Sequence, residues 1–205
     1  MQILGYGEDA LTYWALSRHL LDVIGPLSDD STEKDNLLLI YRPSFGRSGG
    51  NESAQFGEFD AIIGTPKAVY LVESKWAGEP IKNGNVVLAG RQILRHEIFR
   101  WIRDRWSDQR PANWDEFYRA NERDFRAHFD EKPLPKAGRL VGNLEYLLRE
   151  LLGRGAPTID VLLYFHLDGG KVPAGVAEAP DFRVVPFLFR PVNSDCDGRI
   201  IEMQA

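Results

Sequence analysis

The sequence predicts a mixed α/β domain, a mixed sheet flanked by helices and carrying a helical insertion, and three observations support this. Apolar runs of strand length occur near residues 37–42, 58–63, 68–75 and 159–166. Helical spacing precedes the first run and fills residues 87–106, so that a helix crosses between the third and fourth strands. Residues 108–157 hold further helical spacing bounded by Pro111, Pro133, Pro135 and Gly153. The expected order is α-β-β-β-α-β. At 205 residues a single domain suffices, with a core of about residues 1–106 and 158–205 and an insertion of about 108–157.

The first helix starts at Glu8, with Leu11, Trp14, Ala15, Leu20, Leu21 and Ile24 at helical spacing until Gly25-Pro26 stops it. Its length corresponds to about five turns. Glu8 and Asp9 fall in its first turn, where carboxylates complement the helix dipole. Leu37-Leu38-Leu39-Ile40-Tyr41-Arg42 is a continuous apolar run that reads as a buried strand pairing with the strand that carries Asp60. Between them, Ser44 to Ser53 is rich in glycine and serine, carries Arg47, and reads as a loop beside that strand.

Phe59-Asp60-Ala61-Ile62-Ile63-Gly64 and Ala68-Val69-Tyr70-Leu71-Val72-Glu73-Ser74-Lys75-Trp76 form a hairpin through the turn Gly64-Thr65-Pro66-Lys67. Side chains alternate along a strand, so Val69, Leu71, Glu73 and Lys75 share one face, and Tyr70, Val72 and Ser74 the other. Pairing through the short turn brings Asp60 to the Glu73/Lys75 end. Two acids and a lysine thus close otherwise apolar rows. Burying such charges costs several kcal/mol unless a metal or partner compensates, which makes this end of the hairpin the candidate site.

The helix at 87–106 carries an apolar stripe of Leu94, Ile98, Trp101 and Ile102 and five arginines, Arg91, Arg95, Arg100, Arg103 and Arg105. Gln92, His96 and Arg103 lie on a different stripe. In the insertion, Trp114 to Phe129 and Arg139 to Leu152 read as helices. Their aromatics read as core, although Trp106, Trp114 and Tyr118 could instead stack on single-stranded bases. Ile159 to His166 reads as another buried strand. In Val184 to Phe189 the proline Pro186 points to an edge, and Arg199 to Glu202 adds a short last strand.

Asp60 followed by Glu73-Ser74-Lys75 at the end of the next strand resembles the signature of the PD-(D/E)xK nuclease superfamily. The local wording Gly57-Glu58-Phe59-Asp60-Ala61-Ile62 with Val72-Glu73-Ser74-Lys75 is similar to its resolvase-like and RecB-like branches. Phe59 stands where many members have proline, a position at which the superfamily varies. The resemblance covers roughly residues 1–106 and part of the later strands. It implies a restriction-endonuclease-like core and metal-dependent hydrolysis of DNA in repair, recombination or restriction. Asp60 and Glu73 are then ligands of Mg²⁺ or Mn²⁺, with the carbonyl of Ser74 as a further donor. Lys75 acts on the attacking water or the developing charge, Glu8 holds a second ion or a metal-bound water, and Gln92 positions the nucleophile. His96 stands where RecB-like members carry tyrosine. DNA is the implied partner, in preference to RNA, and a homodimer is the assembly the resemblance allows. The alternative is a nuclease-like core that binds nucleic acid or protein without cutting.

Composition sets the outer limits. The hydrophobic fraction of 43% and charged fraction of 27% are those of an ordinary globular protein. A formal net charge of -5 counts against a basic nucleic-acid coat but not against a metal-neutralised acidic site. The single cysteine, Cys196, excludes an internal disulfide and a cysteine zinc cluster within one chain, and fits a reducing, cytoplasmic setting. Nothing at Met1 to Asp9 resembles a signal peptide, and no run reaches the roughly 18 apolar residues of a membrane span.

Overall fold

A computed structural model describes residues 3–45, 57–76, 81–155, 157–190 and 200–203. The expected loop at Ser44 to Ser53 with Arg47, and Cys196, fall largely or wholly outside these residues. The chain divides into two compact units, one of Met1–Tyr41, Asp60–Leu88 and Gly155–Ala205, the other of Arg42–Phe59 and Ala89–Arg154. No helix among the described residues is long and apolar enough to cross a membrane.

The first unit is mixed α/β. It begins with strand β1 (Ile3–Tyr6), helix α1 (Gly7–Arg18) and the short helix α2 (Leu20–Ile24). Strands β2 (Leu38–Tyr41), β3 (Ala61–Gly64), β4 (Val69–Trp76), β7 (Thr158–His166) and β9 (Arg183–Leu188) form a five-stranded sheet in the order β2-β3-β4-β7-β9. Pairings β2/β3 and β3/β4 are antiparallel, while β4/β7 and β7/β9 are parallel. Tyr70 and Val72 on β4, Val161, Leu163 and Phe165 on β7, and Ala61 and Ile63 on β3 pack in one apolar cluster with Leu11, Ala15 and Leu16 of α1 and Val23 and Ile24 of α2. Two smaller sheets complete the unit: β1 with β10 (Ile200–Met203), and β5 (Ile81–Lys82) with β6 (Asn85–Val86) and β8 (Gly175–Val176).

Three differences from the sequence reading have local causes. The single helix expected from Glu8 to Ile24 breaks at His19, which leaves helical dihedrals at φ -129 and ψ 30. The His19 ring sits 4.7 Å from Trp14, and its Nδ1 lies 3.0 Å from Asp22, contacts that an apolar periodicity cannot register. Strand β2 is not buried on both faces but lies at an edge, its four residues half-buried. The helix expected from Val87 starts at Gly90, because Val86 is already committed to β6 and Ala89 is extended. Pro186 sits at the sheet's other edge, where its missing N–H costs no ladder bond.

At the turn end of the β3/β4 hairpin, Asp29 is 4% exposed and its carboxylate is saturated. Oδ1 accepts from the Ser31 N–H and hydroxyl, and Oδ2 accepts from the hydroxyls of Thr65 and Tyr70, each at 2.7 Å. Gly155 closes against the same turn, donating its N–H to the Thr65 carbonyl at 3.0 Å. A Cβ on Gly155 would lie 1.7 Å from the Lys67 carbonyl carbon, so only glycine fits there.

The second unit contains α3 (Gly90–Gln109), α4 (Trp114–His128) and α5 (Arg139–Leu151). Asn113 caps α4 by accepting from the Glu116 N–H. Trp106 and Trp114 stack at 6.1 Å and are 1% and 3% exposed, so they are core and unavailable to stack on bases; Tyr118 is half-buried. His96 is fully buried, 5.0 Å from the Phe59 ring.

Candidate active site

Antiparallel pairing of Ala61 with Val72 sets the geometry, since continuing it by one residue puts Asp60 across from Glu73 on the same face. Asp60 is fastened there: its Oδ2 accepts from the Ser74 N–H at 2.7 Å. A carboxylate thus holds the backbone between the other acid and the lysine. Glu73 is 1% exposed, and burial of that depth keeps a carboxylate only with partners close by.

Lys75 supplies the positive charge. Its Nζ donates to the Ser74 carbonyl at 2.8 Å and to Glu8 Oε1 at 3.3 Å. Burial disfavours the ammonium, but Glu8, Asp60 and Glu73 outweigh it and hold its pKa above the ordinary lysine value. Glu8 reaches the lysine because Gly7, at φ +76, turns the chain from β1 directly into α1. The start of α1 is tied to the sheet by Tyr41, whose hydroxyl donates to the Asp9 carbonyl at 2.8 Å. Tyr41 is paired with Ala61, next to Asp60. The only sequence signal for Tyr41 is that it is the one hydroxyl in an otherwise apolar run.

Four of the five expected residues, Glu8, Asp60, Glu73 and Lys75, therefore meet in the first unit. Gln92 belongs to the second, where its carboxamide oxygen accepts from the Ala89 N–H at 3.0 Å and caps the start of α3. One group at the site is unexpected. The Ser74 hydroxyl is buried with no hydrogen-bond partner among the described residues, on the strand face opposite Glu73 and Lys75.

Among the described residues no group of three or more His, Cys, Asp or Glu is arranged to hold a metal, so Glu8, Asp60 and Glu73 do not form a three-acid cage. Asp60 and Glu73 still suit a hard cation in kind. Mg²⁺ keeps most of its waters and is commonly held by one or two carboxylates plus substrate oxygens. The Ser74 carbonyl, the third expected donor, here accepts from Lys75. Comparison with family models, with curated proteins and with solved structures finds no match.

Proposed function

We propose that this chain is a Mg²⁺- or Mn²⁺-dependent nuclease of the PD-(D/E)xK type that hydrolyses phosphodiester bonds in DNA. The observation that carries the reading is the Asp60 carboxylate bound to the Ser74 N–H, with Glu73 opposite and the Lys75 ammonium beside both. A sheet whose antiparallel β2-β3-β4 meander continues into parallel β7 and β9, with α1 packed on it, suits a restriction-endonuclease-like core.

In this reading Asp60 and Glu73 hold the ion, which supplies a water of lowered pKa and offsets phosphate charge. The Ser74 N–H fixes the Asp60 carboxylate so that its remaining lone pairs keep one direction. Lys75, held as an ammonium by three carboxylates, is a donor rather than a base, and its place is against the charge that develops on the phosphate oxygens. Glu8 keeps that ammonium oriented.

The test has two arms. Mg²⁺ or Mn²⁺ should raise the melting temperature of the native chain but not of Asp60→Ala. Duplex, flap, four-way-junction and single-stranded DNA, with matched RNA, should then show metal-dependent cutting and its preference.

A second reading starts from the ammonium itself. Lys75 already bonds the Ser74 carbonyl and Glu8, as in an ion network complete within the protein. A core of that kind would bind nucleic acid or protein without cutting, and metal would leave its melting temperature unchanged.

A further inference from the structure

We propose that His166 is a further substrate-contacting residue of this site, its Nε2 meeting an oxygen of the phosphodiester backbone; the inference rests on the nuclease reading above. The argument begins with register. In the parallel β4/β7 pair Lys75 is the partner of Tyr164, so His166 lies one strand over and two residues further toward the strand ends. Ordinary strand dimensions put its Cα about 8 Å from that of Lys75. Facing follows from alternation. Val161, Leu163 and Phe165 point into the core with α1 and α2, which leaves Leu162, Tyr164 and His166 on the face of Glu73 and Lys75. Both strands end here, and in sheets with parallel strands ligands gather beyond the C-terminal ends.

The ring is also prepared. His166 Nδ1 lies 3.0 Å from the Leu167 carbonyl, and a carbonyl can only accept, so Nδ1 carries the proton. That carbonyl is itself pinned, accepting from the Gly170 N–H at 2.9 Å. The backbone of His166 is pinned as well, its carbonyl accepting from the Phe189 N–H at 3.0 Å. A fixed acceptor on one nitrogen sets the tautomer and leaves the other for chemistry, as in many working histidines. Nε2 makes no hydrogen bond among the described residues, and the side chain is half-exposed at the end of a strand whose preceding six residues are buried. An Nε2–H at this position donates to a phosphate oxygen.

The test uses the full chain. Steady-state cleavage of single-stranded DNA in Mg²⁺ should show KM raised about tenfold or more in His166→Leu with kcat little changed, as expected for a lost charge-assisted hydrogen bond. His166→Gln, which keeps a donor, should recover part of the loss. In parallel, nitrogen NMR of the imidazole should show the Nε2 resonance shifting as a phosphorothioate oligonucleotide saturates the protein. Cleavage with native KM in His166→Leu and a silent Nε2 overturns this inference and leaves the nuclease reading standing. Absence of cleavage with a responding Nε2 overturns the nuclease reading and supports His166 as a phosphate contact. If there is neither cleavage nor a response, both fail.

Discussion

The two ends of the β3/β4 hairpin handle buried charge in opposite ways. At the turn, Asp29 spends both oxygens on four donors, and every partner is neutral. At the open end, the Asp60, Glu73 and Glu8 carboxylates gather about one ammonium, and the buried Ser74 hydroxyl on the other strand face has no hydrogen-bond partner among the described residues. Burial pushes the Asp29 carboxyl up, yet the bonds from Ser31, Thr65 and Tyr70 hold its pKa below the ordinary value. The same burial, with the Asp29 charge, drives the Tyr70 phenol well above its usual range. A saturated carboxylate of this sort is a structural clamp with no capacity left for a ligand. The open end instead sets three carboxylates around a charged partner, Lys75.

The largest expected effect falls at the open end. Lys75→Ala should lower single-turnover cleavage at saturating Mg²⁺ by about 100-fold or more, and should also lower the melting temperature, since it leaves the buried Glu73 carboxylate without its ammonium. Lys75→Arg should keep much of the rate, because guanidinium retains the charge without serving as a base. Native activity in Lys75→Ala would reduce this end to another clamp.

At the turn end stability should be lost and chemistry spared. Gly155→Ala forces a Cβ into the backbone of Lys67 and Ala68, and should cost about 3 kcal/mol or more by chemical denaturation. Asp29→Asn comes next, at about 2–3 kcal/mol, since one carbonyl oxygen cannot serve four donors. Its pH dependence has a definite sign. A carboxyl whose folded pKa is depressed adds stability above its unfolded pKa, and that stability is lost as pH falls through the folded value. Melting temperature against pH should therefore fall less steeply at the acid end in Asp29→Asn than in the native chain. The smallest effect is Ser74→Ala. Removing a buried hydroxyl without a partner should leave stability unchanged or raise it by about 1 kcal/mol, with cleavage intact. A marked loss of cleavage there would mean that the hydroxyl is kept for function.

The open end was legible because its geometry is local. Period-two alternation and a short turn suffice to bring Asp60 to Glu73 and Lys75; Glu8, 67 residues from Lys75, was pointed to by the family resemblance and not by spacing. The turn end was not legible, because Asp29 meets Thr65 and Tyr70 at separations of 36 and 41 residues, and in sequence it reads as one more polar loop residue. Gln92 carries two readings at once: the glutamine that the resemblance places at the site also caps α3, its carboxamide oxygen accepting from the Ala89 N–H. The β5/β6 hairpin carried a usable signal in Asn83-Gly84, both at positive φ between short flanking strands, which the neighbouring helical periodicity obscured.

The parallel pairing of β4 with β7 has a consequence for how the chain is made. Some 80 residues separate the end of β4 from the start of β7, so at ordinary synthesis rates of roughly 5–20 residues per second the apolar flank of β4 waits on the order of 4–16 seconds for its partner. During that interval Val69 to Val72 presents an open strand edge on the ribosome, the kind of template on which nascent chains stick to one another. Glu73 and Lys75 end this apolar run with charge, the sequence pattern that interrupts an aggregation-prone segment.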